Sequence, residues 1–252
     1  MRIILKKEEI KGNRITLSGE KARYLISVLR CSAGDELQVF DGEGSLYKSE
    51  ITEIENKKVI IDLLEQISLN AESPLNLILV QGILKGEKMD MVIQKATELG
   101  VKEIIPAITE RSQIRHTRKV DRWRKIAEEA SKQSGRTMIP VVHEPIEFNL
   151  LFAVNDSRPL NGFIFWEEGG LSLKEAIKQS AVSIQHSENS QLSTLNSQLF
   201  VLVGPEGGFS KAEVNLAVSK GLITVSLGKR ILRAETAAIS AVALIQFLLG
   251  DI

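Results

Sequence analysis

Two stretches have the residue types and spacing that could do chemistry: Gly204-Pro205-Glu206-Gly207-Gly208-Phe209-Ser210 and Leu227-Gly228-Lys229-Arg230-Ile231-Leu232-Arg233-Ala234-Glu235-Thr236. Glycine opens backbone conformations closed to other residues and lets main-chain N–H and C=O groups come close to a ligand. Arg233 adds a permanent cation able to stabilise a developing anion, and Glu235 and Glu206 are carboxylates able to take a proton or to hold that arginine. Either glycine cluster taken alone reads better as an ordinary strand-to-helix turn than as a ligand site. Both glutamates sit at helix beginnings, where they can instead complement the helix dipole.

The flanking residues explain how these turns are presented. Leu199 to Val203 and Leu222 to Leu227 read as buried strands, and Ser210-Lys211-Ala212-Glu213 has the spacing of a capping box. Each turn therefore leaves a strand and opens a helix, and ligands collect at such strand ends. Upstream, Asn76 to Ile83 and Glu103 to Ile108 read as strands around a helix whose apolar positions Met89, Val92, Ile93, Ala96 and Leu99 share one face, with Gly100 as its cap. That is a βαβ unit and implies a parallel sheet. A second helix is expected near Val120 to Gln133, further strands at Met138 to Val142 and Gly162 to Trp166, and a last helix at Glu235 to Leu249. Pattern alone gives an open α/β sheet of ordinary topology, because threaded chains are very rare.

Residues 1–71 are different in kind. Arg2 to Leu5, Glu36 to Phe40, Ser45 to Ile54 and Lys57 to Leu64 read as strands, with Asp41-Gly42-Glu43-Gly44 as a tight connection. Ser18 is placed to cap one short helix with Ala22, Leu25, Ile26 and Leu29 facing inward. A small β-barrel with one helix is the simplest arrangement, since closure removes sheet edges. The polar, proline-ended stretch Ile67 to Pro74 marks the boundary, so a second domain is expected over 75–252. Within it, 179–198 is rich in Ser, Gln and Asn and reads as a mobile surface insertion without chemistry.

Composition narrows the function classes. The chain of 252 residues carries 32 basic and 32 acidic side chains, so no global field draws it to nucleic acid. A local basic stripe, Arg111, Arg115, Arg118, Lys119, Arg122, Arg124 and Lys125, is able to track phosphates or to form a solvated helix face. Cys31 is alone and His116, His143 and His186 are scattered, which argues against a disulfide or a zinc site. No apolar run is long enough to cross a bilayer and the amino terminus lacks a secretory pattern, so the cytoplasm is the expected compartment. No Walker motif or dinucleotide fingerprint occurs, and no Ser or Cys nucleophile can be matched to a histidine.

The two turns together resemble the carboxyl-terminal half of the SPOUT methyltransferases and, within them, the RsmE family, which methylates N3 of a uridine in small-subunit ribosomal RNA. Lys85-Gly86-Glu87-Lys88-Met89-Asp90, Gln94 to Val101, Glu110-Arg111-Ser112 and Glu128 to Arg136 look like that family's other signatures in the same order. The resemblance implies a PUA-like RNA-binding domain over 1–71 and a SPOUT methyltransferase domain with a carboxyl-terminal trefoil knot. It also implies a homodimer, with ribosomal RNA, in an assembled small subunit, as partner and no metal or membrane. S-Adenosylmethionine is the implied cofactor, at Leu202, Gly204, Pro205, Glu206, Gly207, Gly208, Leu227, Gly228, Ile231, Leu232, Arg233, Ala234 and Thr236. Arg233, Glu235 and Glu206 are its implied catalytic residues, and Arg30, Arg111, Arg115, Arg118 and Arg136 the implied RNA contacts. A related SPOUT enzyme acting on transfer RNA and a non-catalytic RNA-binding assembly factor are the rival readings; the intact Arg233-Ala234-Glu235-Thr236 argues against the latter.

Overall fold

The computed structural model of the chain describes residues 1–68, 71–153, 159–185 and 198–252. Two compact units emerge, one formed by Met1–Glu72 with Ser131–Ile139, the other by Ser73–Ala130 with Pro140–Ile252.

The first unit is built on β1 (Arg2–Ile4), β2 (Arg14–Leu17), α1 (Gly19–Arg23), β3 (Glu36–Phe40), β4 (Leu46–Glu55) and β5 (Lys58–Ile67). Its five strands run in the order β1-β3-β4-β5-β2, and the end strands β1 and β2 are not paired with each other. The sheet is thus left open by backbone pairing, where the sequence suggested closure. Register shifts at Lys48/Ser49 and Ile51/Glu53 bend the long β4–β5 pair. Ala22 and Leu25 of the helical segment join Leu37, Val39, Ile51, Val59 and Ile61 in one core, so a helix rather than strand pairing covers the apolar face. Ser18 stands at the N-cap of α1 but makes no side-chain cap bond. Between β3 and β4, Asp41 Oδ1 accepts from the Glu43 and Ser45 N–H groups at 2.8 and 2.9 Å, which fixes the connection.

Arg136, expected to touch RNA, is buried in this unit. Its guanidinium donates to Glu72 Oε2 from Nε and Nη2 at 3.0 and 2.8 Å, with side chains only 3% and 16% exposed. Glu72 Oε1 accepts from the main-chain N–H of Thr137 and Met138, each at 2.9 Å. This carboxylate ties segment 131–139 to the unit, and the arginine has a structural role. Arg136→Ala, which leaves that carboxylate without its cation, is expected to destabilise the protein by about 3 kcal/mol in denaturant unfolding; a loss within error of zero would contradict this role.

The second unit carries β6 (Asn76–Gly82), α2 (Lys88–Glu98), β7 (Glu103–Ile108), α3 (Val120–Ser134, its last turn belonging to the first unit), β8 (Val141–Val142), β9 (Ile146–Glu147), β10 (Gly162–Phe165), β11 (Leu171–Ser172), α4 (Leu173–Gln185), β12 (Gln198–Val203), α5 (Lys211–Ser219), β13 (Ile223–Ser226) and α6 (Ala234–Leu249). The sheet runs β11-β13-β10-β12-β6-β7-β8, with β9 also on β7, and every pairing is parallel. Leu77–Val80 of β6 and Leu199–Val203 of β12 are continuous apolar runs because parallel strands are covered on both faces. The buried Asp90 of α2 accepts from Arg122 Nε at 2.8 Å and Trp123 Nε1 at 3.0 Å, which locks α3 against α2. Gln246, buried in α6, donates to Leu99 O at 2.7 Å and accepts from Ser73 Oγ at 2.8 Å, fastening the last helix.

Two expectations shorten or move. Only Val141–Val142 of the expected 138–142 strand pairs with β7, since Pro140 has no N–H to give a ladder. Residues 179–185, expected to open a surface insertion, continue α4, and Gln198 already belongs to β12; 186–197 lie outside the described residues. Among the described residues no helix is long and apolar enough to cross a membrane.

Candidate functional site

Strands β12, β10 and β13 finish level: Phe165 of β10 pairs with Val203 on one side and Val225 on the other. The chain beyond β12 and β13 forms the two glycine turns, and Trp166-Glu167 leaves the strand between them. A cleft of about 650 Å³ opens at these three ends, lined by both turns and by the start of α6, within the size range of small-molecule sites.

The first turn cannot carry side chains at two of its glycines. A Cβ on the buried Gly204 would lie 2.9 Å from the Gly208 carbonyl carbon and 3.1 Å from Phe209 N. Gly208 has φ +66°, and a Cβ there would strike the Glu167 carboxylate. Arg111 holds the turn from the end of β7, its Nη1 donating to Gly207 O at 3.0 Å. The capping box forms as expected: Glu213 N donates to Ser210 Oγ at 3.3 Å and Ser210 N to Glu213 Oε2 at 2.8 Å. Glu213 Oε1 also accepts from Glu110 N at 2.8 Å, so the 109–112 turn and the start of α5 move as one piece.

Glu206 is engaged from outside its own turn. Lys85 N and Lys88 Nζ both donate to its Oε1 at 3.1 Å. Burial by itself would raise this carboxyl, but the donated hydrogen bonds and the Lys88 charge outweigh it and hold the group below the usual carboxylate range. Of the roles expected for Glu206, holding Arg233 is therefore replaced by holding Lys88, and a carboxylate kept ionised in this way is a weak proton acceptor near neutrality.

At the second turn Ser226 Oγ accepts from Gly228 N at 3.3 Å, and Arg233 stands at the N-cap of α6 with its side chain exposed and making no cap bond. Glu235 follows in the first turn, 9% exposed and lining the cleft. Its Oε2 and the Nε1 of Trp166, another lining residue, are buried with no hydrogen-bond partner among the described residues. Such orphaned groups call for a partner, and a polar, flat ligand with donors and acceptors of its own suits them.

The residues expected to line the cleft divide as follows. Gly204, Pro205, Glu206, Gly208, Leu227, Gly228, Ile231, Leu232, Arg233, Ala234 and Glu235 do so. Leu202 is buried in the apolar core beneath the sheet's end, Gly207 faces Arg111 instead, and Thr236 is exposed on α6. Ile231, an apolar side chain 86% exposed, stands at the rim. Lys88, quoted only within a family signature, and Phe165, Trp166 and Glu167 line the cleft without having been assigned to it; applying the strand-end rule to Gly162–Trp166 as well as to its neighbours would have found the last three.

The arginines expected at RNA also divide. Arg30 is exposed in the first unit, in a left-handed conformation with φ +55°. Much of the basic stripe is internally paired: Arg122 with Asp90, Arg124 with Asp121 and Glu144, Lys119 with Gly86 O, Arg111 with Gly207 O. Arg115 only approaches Glu147, at 4.0 Å, and Arg118 is exposed. Among the described residues no group of three or more His, Cys, Asp or Glu could hold a metal ion.

A family model described as an RNA methyltransferase domain matches residues 71–246, and one described as an RNA methyltransferase PUA domain matches residues 17–64. Ribosomal RNA small subunit methyltransferase E of Synechocystis is 33% identical over 98% of this chain and 78% of its own length, and that of Bacillus subtilis 31% identical over 97% and 94%. The crystal structure of the Neisseria gonorrhoeae protein of the same name, bound to S-adenosyl methionine, is 31% identical, covers 100% of this chain and 98% of that one, and superposes with a TM-score of 0.83. The chain belongs to the ribosomal RNA small subunit methyltransferase E family, with a SPOUT-type α/β domain and a PUA domain.

Proposed function

We propose that this protein transfers a methyl group from S-adenosylmethionine to N3 of a uridine in small-subunit ribosomal RNA, as a cytoplasmic homodimer acting on the assembled subunit. The observation that carries the reading is the cleft at the ends of β12, β10 and β13, where both glycine turns, Arg233 and the orphaned Glu235 Oε2 meet. The cofactor suits it: the main chain of the turns offers close N–H and C=O groups to adenine, and the residues present include the donors and acceptors its polar groups need. When bound, S-adenosylmethionine supplies an electrophilic methyl carried on a sulfonium.

The protein's own contribution is positioning and charge. The uridine imide is a poor nucleophile until N3–H is lost, and its anion spreads charge onto O2 and O4. Arg233, whose guanidinium is exposed at the rim, stabilises that charge. Of Glu206 and Glu235, the latter is the proton acceptor, because Glu206 already answers Lys88 and Lys85. The turn through Pro205 runs close beside Gly82 at the end of the neighbouring strand, where a Cβ would lie 2.8 Å from the Gly204 carbonyl carbon; the trefoil knot is carried by the family resemblance. Leu244, Phe247 and Leu249 expose apolar surface along α6, Phe247 to 69%, which supports pairing of this helix with a second copy.

RNA is held by Arg115 and Arg118, which are not committed to close internal pairs. Replacing both by alanine is expected to weaken RNA binding and to lower the slope of log K against log salt by about 1.4, two contacts at ~0.7 each, in titrations at several salt concentrations. An unchanged slope would remove them from the RNA surface. The function itself is tested by incubating the protein and labelled S-adenosylmethionine with small subunits, free ribosomal RNA and transfer RNA. Label should enter the small subunits; labelling of transfer RNA alone, or of nothing, would overturn the reading.

A further inference from the structure

Gln81 is the one polar side chain in the run Leu77–Gly82 of β6, and it is fully buried. An amide enclosed among apolar positions is costly unless it is bonded. Its Nε2 donates to Gly82 O at 2.9 Å, next door in the chain, and to Gly204 O at 3.1 Å, across 123 residues of sequence. Its Oε1 is buried with no hydrogen-bond partner among the described residues. The two carbonyls fix the orientation of the amide, because turned round it would set its oxygen against both of them. What the amide adds is confined to those two donated bonds. A methionine would fill a similar length of space without leaving an acceptor unpaired.

The long-range bond falls where the sheet stops holding the first glycine turn. The β12–β6 ladder ends at the pair Val203 and Gln81, so Gly204 is the first residue beyond it. A side chain at Gly82 would collide with Pro205 N, so the two chains stay in contact after main-chain pairing has ended. The Gln81 amide supplies a donor where the ladder supplies none. Two later carbonyls of the turn are also held, Pro205 O by Gly208 N at 2.9 Å and Gly207 O by Arg111 Nη1 at 3.0 Å. Gln81 is the only fully enclosed donor of the three, so water cannot take its place. Resting on the cofactor site proposed above, we infer that Gln81 is a positioning residue for methyl transfer. Through Gly204 O it sets the plane of the Gly204–Pro205 peptide, and with it the shape of the turn that receives S-adenosylmethionine.

Binding measurements test this. S-Adenosylmethionine is titrated by calorimetry into the wild-type protein and the Gln81→Met and Gln81→Glu variants at several pH values, with folding followed by thermal melting. Gln81→Met removes both donated bonds at similar volume and is expected to weaken binding roughly tenfold to a hundredfold in a folded protein. Gln81→Glu separates positioning from packing. Burial raises a carboxyl, and the protonated acid can still donate to Gly204 O, whereas the carboxylate opposes it. Cofactor binding then favours the protonated form. The affinity of Gln81→Glu relative to wild type should be nearest to one at low pH and fall by up to about tenfold per pH unit once the group ionises. The charged groups that hold the turn or line the cleft, Lys88, Arg111, Glu167, Glu206, Arg233 and Glu235, are common to both proteins and cancel in the ratio. A glutamine that only fills space would move the melting temperature and leave that ratio flat. Wild-type affinity in folded Gln81→Met, or a ratio independent of pH, overturns the inference alone; if Gln81→Glu melts at the upper pH, the Gln81→Met affinity decides. A wild-type protein that binds no S-adenosylmethionine removes the cofactor site and the inference with it.

Discussion

Gly204→Val is expected to abolish measurable S-adenosylmethionine binding while the protein remains folded. The added branches have no room, since even a Cβ would sit 2.9 Å from the Gly208 carbonyl carbon and 3.1 Å from Phe209 N. The neighbours are main chain and cannot swing aside, so the turn must move. A forced backbone change of about 3 kcal/mol corresponds to roughly a hundredfold in affinity if it falls on the binding conformation. The wider apolar core, including Ile78, Val80, Ile164 and Val214, does not depend on the turn and keeps the domain together. Calorimetry with the melted-state midpoint measured alongside distinguishes the cases. Wild-type affinity in a folded variant would show that this turn does not hold the cofactor.

Arg233→Lys is expected to lower the single-turnover methylation rate at saturating RNA by roughly a hundredfold, the scale seen when one group that stabilises developing negative charge is removed. Lysine keeps the charge but loses the planar fork, which offers two parallel donors to an imide oxygen and its neighbour. The side chain is exposed and makes no cap bond in α6, so its replacement leaves the helix intact. Cofactor affinity and RNA affinity should change far less than the rate, which is the signature of an interaction made chiefly in the transition state. A full chemical rate would mean that another group carries that charge.

The elements that hold the site were legible because their signals are local. The capping box at Ser210 and the strand bounds at Glu103–Ile108 follow from side chains within a few residues of one another. The level finish of β12, β10 and β13 was half legible: the outer two strands announce themselves through glycine, while β10 ends in Trp166-Glu167 and looks like any buried strand running into a loop. Long-range partners were not legible at all. Arg136 follows the second helix and looks like an RNA contact, but Glu72, far away in sequence, claims its guanidinium inside the first unit. Lys88 likewise claims Glu206 across more than a hundred residues. A sequence pattern reports which groups are charged; which of them remain available is decided by folding. The missed strand Arg14–Leu17 has the alternating burial of a half-covered sheet, yet it is short and follows a glycine-containing polar stretch that reads as a loop.

Transfer to one atom of one base is the most direct measure of what this cleft does. Small ribosomal subunits incubated with the protein and methyl-labelled S-adenosylmethionine should yield label in 3-methyluridine on nucleoside analysis. Reverse transcription should stop at a single new position, because a methyl on N3 removes the Watson–Crick donor of that base. Both signals should vanish with Gly204→Val. Label on a ribose hydroxyl, on a base carbon or on transfer RNA, or an undiminished yield from the Gly204 variant, would contradict the assignment of this cleft to uridine-N3 methylation.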